Sequence, residues 1–252
     1  MRAFRKSVLI FLFISFVHSA SALISIPEIF ADNMVLQQKS EVAFWGWAKA
    51  GETVTIKAEW LEKEVSMRAG PSGRWKLIIN TPAAGGPFKI SLKGSNEILL
   101  KNVLIGEVWL CSGQSNMEWS ARSGINNADK EIKNADNPGI RLFNVYHSSS
   151  DNPQEHFTGE WVECTPETMQ DFSAIGYFFG RKINTELGVP VGVINASWGG
   201  TPAEAWMPAD VFLKDNFLNE AASMQKTLSR DRGRAFADGT RARARERTGG
   251  LR

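Results

Sequence analysis

Short apolar segments alternate with helical segments from residue 103 onward, and this alternation constrains the fold more than any other feature of the sequence. Clustered apolar residues predict strands, and apolar residues at helical spacing predict helices. In chain order, the predicted strands and helices are residues 105–111, 128–135, 140–145, 175–187 and 191–196. An order of strand, helix, strand, helix, strand is typical of an α/β domain with a parallel sheet.

The second predicted helix carries its apolar residues on one face. They recur at helical spacing as Ile175, Phe178, Phe179, Ile183 and Leu187. A stripe of this kind is the face that a helix usually turns towards the core. Gly188 follows the last of these residues and is placed to end the helix.

Residues 23–102 predict a small antiparallel β-sandwich that precedes the α/β domain. Residues 42–47, 53–58 and 75–79 alternate or cluster β-forming side chains. Turns that contain glycine and proline separate these segments. Several short strands at this spacing favour a sandwich.

Four tryptophans in this β-rich segment allow two interpretations. They are Trp45, Trp47, Trp60 and Trp75. Packing in the core or between domains is favoured, because large aromatic side chains bury extensive apolar surface. The alternative is a platform on which sugar rings stack.

The N-terminus has the layout of a secretory signal peptide. Basic residues precede an apolar run over residues 8–17, and small residues follow at 20–22. The run is much shorter than the roughly 20 residues that a membrane-spanning helix needs, so no stable membrane anchor is expected. We therefore expect a secreted or periplasmic protein that loses residues 1–22 by cleavage after Ala22.

The formal net charge of +2 implies no particular partner, but it hides an arginine-rich segment at residues 229–252. This segment holds eight arginines and no lysine, whereas residues 1–228 hold seven arginines and fourteen lysines. Hydrophobic periodicity also stops after Leu228. We expect a disordered or frameshifted end; the alternative is a genuine basic tail that binds nucleic acid or an anionic surface. An exported protein has no evident need of such a tail, so no nucleic-acid partner is predicted.

The two cysteines, Cys111 and Cys164, leave two possibilities open. Export makes a disulfide between them chemically possible. A buried free thiol is equally compatible with Cys111, because this residue lies in an apolar strand. The sequence has no CxxC pair and no cluster of histidines and cysteines at metal-binding spacing, so neither a metal nor another cofactor is predicted.

A glycine-rich turn follows the last predicted strand. Residues 197–200 read Ser-Trp-Gly-Gly, and residues 201–204 read Thr-Pro-Ala-Glu, which is the pattern of a helix start with a capping box. Free backbone N–H groups at the carboxyl end of a strand are suited to binding a ligand in an open α/β sheet. The alternative is a tight structural turn that needs glycine only for its backbone freedom.

Ser115 directly follows the first predicted strand of the α/β domain. A serine placed there can point its hydroxyl into the cleft, where its own N–H and that of Gly199 or Gly200 are candidates to stabilise an oxyanion. A serine in a turn rich in glycine and asparagine is more often structural, and this turn lacks the G-x-S-x-G motif of the α/β-hydrolases. The residues alone leave both interpretations open.

Four longer motifs carry more information than any single residue. Residues 32–38 read Asp-Asn-Met-Val-Leu-Gln-Gln, and residues 106–119 contain the run Cys-Ser-Gly-Gln-Ser-Asn-Met. The other two motifs are residues 172–180 and residues 189–201, which include the glycine turn. In this order they resemble the motifs of the sialate O-acetylesterase family of SGNH-type hydrolases, most closely its bacterial members, over about residues 23–215.

The resemblance implies a three-layer, flavodoxin-like SGNH hydrolase domain within residues 103–228. In the family, the serine of the first glycine-containing block is the nucleophile, which corresponds to Ser115. The glycine of the later block helps to form the oxyanion hole, which corresponds to Gly200 and less directly to Gly199. The implied reaction removes O-acetyl groups from sialic acid, including the 9-O-acetyl group, through an acetyl-enzyme and without a metal. Acetylxylan and other acetylated sugars are alternative substrates, and non-catalytic carbohydrate binding is an alternative function.

The family pattern also includes an Asn in a Gln-Gly-Glu-Ser-Asn-like block and a general-base His preceded by an Asp, and neither block occurs in these 252 residues. The histidines are His18, His147 and His156. Asp151 lies between the last two, but residues 148–153 have the composition of a solvated loop, so surface histidines are expected rather than a substitute base. We therefore expect an incomplete hydrolase domain with one sheet edge and one apolar face uncovered, and impaired esterase activity.

Overall fold

The computed structural model describes residues 23–150 and 152–207 of the 252-residue chain. The predicted signal peptide, residues 1–22, and the arginine-rich segment, residues 229–252, lie outside the described residues. The strands are β1 (Val35–Gln37), β2 (Glu41–Trp47), β3 (Thr53–Ala58), β4 (Val65–Arg68), β5 (Arg74–Asn80), β6 (Gly85–Lys93), β7 (Glu97–Gly113), β8 (Asn137–Val145), β9 (Gly159–Cys164) and β10 (Val191–Ser197). The helices are α1 (Ser115–Glu118), α2 (Ala128–Lys133), α3 (Pro166–Met169) and α4 (Ala174–Leu187), followed by a 3-10 turn at Ala203–Trp206. Within the described ranges, no helix is long and apolar enough to cross a membrane.

Eight of these strands form one mixed sheet in the order β4-β3-β6-β7-β10-β8-β9, with β1 paired to β7. The pairs β1–β7, β7–β10 and β10–β8 are parallel, whereas the other pairs of this sheet are antiparallel. The predicted α/β class is confirmed in this form, as a mixed α/β fold. The strands β2 and β5 form a separate antiparallel pair. The β-sandwich domain proposed for residues 23–102 stays a prediction.

The strand β7 belongs to both halves of the chain. Its first part pairs antiparallel with β6, and from Glu107 onward it pairs parallel with β10. The boundary predicted at residue 103 therefore falls inside a continuous strand, and the division into two domains stays a prediction.

The segments predicted as strands all lie within described strands. Residues 42–47 lie in β2, 53–58 in β3, 75–79 in β5, 105–111 in β7, 140–145 in β8 and 191–196 in β10. The helix predicted at residues 128–135 is shorter, since α2 ends at Lys133. The strand predicted from residue 140 begins earlier, at Asn137, where β8 pairs with Cys164 of β9.

The helix α4 packs on β10 through its smallest residues and not through its apolar stripe. Its buried residues are Ala174, Gly176, Tyr177 and Gly180, whereas the exposed members of the stripe are Ile175, Phe179 and Leu187. A Cβ at Gly180 would come within 2.6 Å of Val193 Cγ2, so the helix lies too close to the strand for a larger side chain. The other two members of the stripe, Phe178 and Ile183, pack partly buried against the core, so the stripe faces the core only in part. The helix ends as predicted at Gly188, whose φ of 63° is left-handed.

An apolar face remains exposed on β7 and α4. On β7, Trp109 and Leu110 are 42% and 65% exposed, and the ring of Trp109 meets that of Phe179 edge-on at 5.0 Å. Residues 109–113 pair with β10 on one side, and no described strand pairs with them on the other. Among the described residues this edge and face are uncovered; the uncovered edge and face of the whole chain stay a prediction.

The tryptophans of the β-rich half divide between core and surface. The side chain of Trp75 is buried in the main apolar core, and Trp60 packs against that core partly buried. On β2, Trp45 is exposed and Trp47 is half-buried. Core packing is therefore confirmed for the first two, while the outward position of the other two leaves the sugar-stacking interpretation open.

The guanidinium of Arg141 is a buried cation that joins β8 to the β-rich half. The side chain, 3% exposed, lies 3.1 Å from Glu163 and donates to Asn33 Oδ1 and Asn102 Oδ1 at 3.3 Å each. Burial lowers the pKa of Arg141, and the nearby Glu163 carboxylate opposes that change. The asparagine of the motif at residues 32–38 thus has a structural contact that its sequence did not reveal.

Candidate active site

Ser115 lies at the point where β7 gives way to α1. The strand ends at Gly113, and Ser115 is the first residue of the short helix. The side-chain oxygen of Gln114 accepts hydrogen bonds from Ser115 N at 3.3 Å and from Ser115 Oγ at 3.1 Å. Because Ser115 is exposed, its hydroxyl faces solvent at the carboxyl end of the strand. The predicted position of this serine after a strand is confirmed.

The glycine turn lies beside Ser115 because β7 and β10 are parallel neighbours. Their register places Ser197 opposite Gly113, so both strands end at the same edge of the sheet. The N–H of Trp198 donates to Gly113 O at 2.9 Å, and the N–H of Gly200 lies 3.4 Å from Ser115 Oγ. The structure therefore brings Ser115 and Gly200 together, while their catalytic roles stay predictions.

Gly199 also lies close to Ser115, but its N–H is already engaged. It donates to Glu118 Oε2 at 2.6 Å. Freeing this amide for an oxyanion would break a charge-assisted hydrogen bond. Of the two predicted glycines, Gly200 is the one whose N–H faces the serine oxygen.

The site includes a carboxylate, Glu118, that was not predicted from the sequence. It is the last residue of α1 and follows Ser115 by three positions. Residues three apart on a helix share a face, so this spacing is the signal that points to Glu118. Its second oxygen, Oε1, lies 3.0 Å from His147 Nε2.

His147 is exposed, as expected of a surface histidine, but it lies against the glycine turn, a contact that the sequence did not indicate. Its Nε2 is also 3.0 Å from Ser197 O, and its ring stacks on that of Trp198 at 4.5 Å with 3° between the planes. The physical reason is the order of the sheet. Because β8 is the parallel neighbour of β10, the residues just beyond Val145 reach the end of β10.

The second histidine of this segment, His156, packs on a different element. His156 stacks on Trp47 of β2, with ring centroids 4.2 Å apart and 21° between the planes. Asp151 lies outside the described residues. Both histidines line one cleft, but of the two only His147 contacts the glycine turn in the described structure.

The Ser115 hydroxyl has no general base within hydrogen-bonding distance in the part of the chain that the structure describes. Its partners are the Gln114 amide oxygen and the Gly200 N–H. An amide oxygen is a weak base and cannot hold the serine proton. His147 Nε2 faces two oxygen acceptors and therefore carries its own hydrogen, so it cannot receive a proton at that atom.

Both cysteines are buried free thiols, which resolves the alternatives left by the sequence. Burial raises the pKa of Cys111 and, together with the negative charge of Asp136, raises the pKa of Cys164 to about 12. The Cys164 thiol donates to Ala135 O at 3.4 Å. Near neutral pH these groups are protonated and therefore poor nucleophiles.

Two shallow clefts offer space for a ligand. One of about 290 Å³ is lined in part by Tyr146 and His147, and so adjoins the candidate site. The other, of about 260 Å³, lies over β2 and β5 and is lined in part by Trp45, Trp47 and Arg74. Among residues 23–150 and 152–207, no group of three or more His, Cys, Asp or Glu side chains is placed to hold a metal ion.

Comparison with known proteins connects this arrangement to an enzyme family. Residues 105–237 match the family described as carbohydrate esterase, sialic acid-specific acetylesterase. The sialate O-acetylesterase of Rattus norvegicus is 35% identical over 197 residues, which is 70% of this chain and 36% of the relative. The sialate O-acetylesterase of Homo sapiens is 33% identical over 194 residues, which is 69% of this chain and 37% of the relative.

A solved structure is similar over most of the chain. It is the crystal structure of a novel carbohydrate acetylesterase from Xanthomonas citri, with a TM-score of 0.72 and 35% identity. The match covers 78% of this chain and 45% of the other. The chain thus spans little more than a third of the length of the curated relatives and less than half of the solved one.

Proposed function

Because this chain belongs to the sialic acid-specific acetylesterase family of carbohydrate esterases, we propose that it is a serine esterase that removes O-acetyl groups, the 9-O-acetyl group among them, from sialic acid. The observation that carries the proposal is the meeting of Ser115 Oγ and Gly200 N–H, 3.4 Å apart at the shared end of two parallel strands. A nucleophile and an oxyanion donor must meet in this way for acyl transfer.

The proposed reaction proceeds through an acetyl-enzyme. Ser115 Oγ attacks the acetyl carbonyl carbon, and the oxygen of the tetrahedral intermediate accepts a hydrogen bond from Gly200 N–H. The bond to the sugar oxygen then breaks, leaving the acetyl group on Ser115, and the sugar leaves with a proton. Water attacks the acetyl-enzyme in the same manner and releases acetate.

We expect the proposed activity to be impaired, because among the described residues no proton acceptor lies within reach of the Ser115 hydroxyl. The only oxygen that accepts from the Ser115 hydroxyl in the described structure is the amide oxygen of Gln114. A serine esterase without its base retains the contributions of binding and the oxyanion hole, about 10³–10⁴-fold over the reaction in water in a well-studied case. We therefore expect slow turnover that still depends on Ser115.

The test is hydrolysis of 4-nitrophenyl acetate and of 9-O-acetylated sialic acid by the parent chain and by Ser115→Ala. The matched control is Ser112→Ala, which removes an exposed hydroxyl near the end of β7, three residues before Ser115. The proposal is supported if the parent and Ser112→Ala show turnover and an acetyl adduct on Ser115, and Ser115→Ala shows neither. Equal rates in parent and Ser115→Ala would exclude Ser115 as the nucleophile.

Other acetylated carbohydrates are part of the proposed substrate class. The solved structural neighbour is described as a carbohydrate acetylesterase without a named sugar. Comparing kcat/KM for acetylated sialic acid and for acetylated xylan oligosaccharides would rank these two substrates. If kcat/KM is clearly higher for the xylan oligosaccharides, acetylated xylan replaces sialic acid as the proposed substrate.

The second candidate function is carbohydrate binding without hydrolysis. The observation that favours it is the cleft over β2 and β5, where Trp45 and Trp47 lie beside the Arg74–Glu155 ion pair of 2.9 Å. Aromatic faces bind sugar rings, and ionic groups bind sugar hydroxyls or carboxylates. If glycan binding is lost in Trp45→Ala but kept in Ser115→Ala, and no acetate is released, this function replaces the first.

The proposed location is secreted or periplasmic, and it rests on the composition of residues 1–22. N-terminal sequencing of the exported protein tests it. A mature chain that begins at Leu23 would agree with cleavage after Ala22, whereas a chain retained in the cytoplasm with residue 1 intact would contradict it.

A further inference from the structure

The carboxylate of Glu118 connects the nucleophile's helix to the glycine turn. One oxygen, Oε2, accepts the Gly199 N–H at 2.6 Å, and the other, Oε1, lies 3.0 Å from His147 Nε2. Both oxygens therefore have a donor, and both donors belong to segments that flank the end of β10. Since Glu118 lies on the same short helix as Ser115, this carboxylate links the glycine turn to α1, the helix that carries the candidate nucleophile.

His147 holds the same turn from its other end. Its Nε2 lies 3.0 Å from Ser197 O, and its ring covers the indole of Trp198 at 4.5 Å in a nearly parallel stack. Three consecutive residues, Ser197 to Gly199, are thus held by these two side chains. The next residue, Gly200, is the one whose N–H faces Ser115 Oγ.

We propose that Glu118 and His147 are positioning residues that decide which amide of the turn faces Ser115. By engaging the Gly199 N–H, Glu118 fixes that peptide away from the serine oxygen. The next amide, that of Gly200, is then the one that faces the serine, and the left-handed φ of 76° at Gly200 redirects the chain after it. The role in catalysis rests on the proposed esterase function, but the geometry can be measured without it.

Glu118 and His147 contribute to the site by holding the glycine turn in position. Both side chains are partly exposed, Glu118 to 38% and His147 to 43%, so solvent weakens the electrostatic attraction between them. A negative charge beside a developing oxyanion would oppose the reaction unless its oxygens were engaged elsewhere. The donors Gly199 N–H and His147 Nε2–H meet that requirement, which explains why a carboxylate is tolerated here.

The direct test is NMR of the backbone amides in the full chain. In Glu118→Ala, we expect the Gly199 amide proton to lose the downfield position of a charge-assisted hydrogen bond and to exchange faster with solvent. In Glu118→Gln a neutral side-chain oxygen remains, so an intermediate shift is expected. In His147→Phe the stack on Trp198 remains, and we expect a smaller change at the same amide.

The chain offers matched controls for both positions. Phe179→Leu changes another partly exposed ring that packs against an indole, that of Trp109, and Glu186→Gln neutralises a carboxylate that is paired with Lys182. Neither touches the glycine turn in the described structure, so the Gly199 and Gly200 amide signals should keep their positions and exchange rates.

Kinetics provide the second measurement. With an acetyl ester, Glu118→Ala should lower kcat about 10- to 100-fold with little change in KM, because the interaction serves the transition state. Glu118→Gln should recover part of that loss. The two control variants should stay within about twofold of the parent.

Each outcome decides the proposal. If the Gly199 amide signal is unchanged in Glu118→Ala, the proposal is overturned, whatever the activity. If that variant does not fold, an unchanged Gly199 amide signal in Glu118→Gln overturns the proposal instead. Ser115-dependent turnover with an unchanged kcat in folded Glu118 variants also overturns the catalytic part. If the parent shows no Ser115-dependent turnover, the esterase function fails, while a changed Gly199 amide still supports the positioning.

Discussion

Gly199 lies so close to Glu118 that a Cβ on the glycine would come within 2.6 Å of Glu118 Oε2. The same Cβ would lie 3.4 Å from Ser115 Oγ. Gly200 differs, because a Cβ there would meet nothing within 4 Å, yet its φ of 76° is strained for any other residue. The two neighbouring glycines are therefore required for different reasons, the first for space and the second for backbone conformation.

Gly199→Ala should impair the site with little effect on stability. The atom it strikes is the end of a flexible side chain, so the Glu118 carboxylate can move away for less than about 1 kcal/mol, but the Gly199 hydrogen bond is then lost. We expect kcat on an acetyl ester to fall as in Glu118→Ala, and the double variant to be no worse than either single one. Additive losses would show that the two residues act independently.

Gly200→Ala should lower the free energy of unfolding by about 1 kcal/mol or more, because an alanine at a left-handed φ is strained. Urea denaturation measures the change. Gly200→Asn is the matched variant, since asparagine tolerates this conformation better and should lose less. Equal losses in the two variants would exclude backbone strain as the cause.

Gly180→Ala should destabilise the fold although alanine favours helices. On propensity alone the change would stabilise α4 by about 1 kcal/mol, but the new Cβ would lie 2.6 Å from Val193 Cγ2. Overpacking against a strand costs about 1–3 kcal/mol, so the free energy of unfolding should fall or stay flat.

The control for this prediction is the companion change in the strand. Val193→Ala should destabilise by itself through loss of buried volume, and Gly180→Ala in that background should become stabilising. A stabilising effect of Gly180→Ala in the parent would contradict the close packing of α4 on β10.

The fold could be predicted where local pattern decides it. The strands follow from clustered apolar residues, and Gly188 ends α4 as its position after the apolar stripe indicates. The buried face of α4 could not be predicted, because it depends on how closely the helix approaches Val193, a residue on another element. The continuity of β7 through residue 103 could not be predicted either, because it depends on pairing with two other strands, β6 and β10.

The candidate site divides in the same way. Ser115 and Gly200 could be predicted to lie at the same edge of the sheet, because each follows a strand of an expected parallel sheet. That the two strands are neighbours is seen only in their pairing. Glu118 has a local signal in its spacing from Ser115. His147 has none, because its contact with Ser197 spans 50 residues and depends on the order β7-β10-β8.

Arg141→Met should lower the free energy of unfolding by about 3 kcal/mol, because the buried guanidinium is the donor for Asn33 and Asn102. Glu163 is partly exposed and contributes less. Arg122→Met is the control, since its ion pair with Asp171 is exposed and should be worth less than about 1 kcal/mol. Similar losses in both variants, measured by urea denaturation, would contradict a structural role for the buried network.

Cys164 should make stability fall at alkaline pH. Burial raises the pKa of its thiol from an ordinary 9.0 to about 12 in the folded chain. As pH rises, the thiol therefore loses its proton first in the unfolded state. Its contribution to the free energy of unfolding is fully present below the pKa of the unfolded state, and it declines as pH rises towards the pKa of the folded state. Relative to Cys164→Ala, the parent should lose about 2 kcal/mol of unfolding free energy between about pH 8 and about pH 10.5. Denaturation curves of both chains at the two pH values provide the measurement, and a pH-independent difference would contradict the buried thiol.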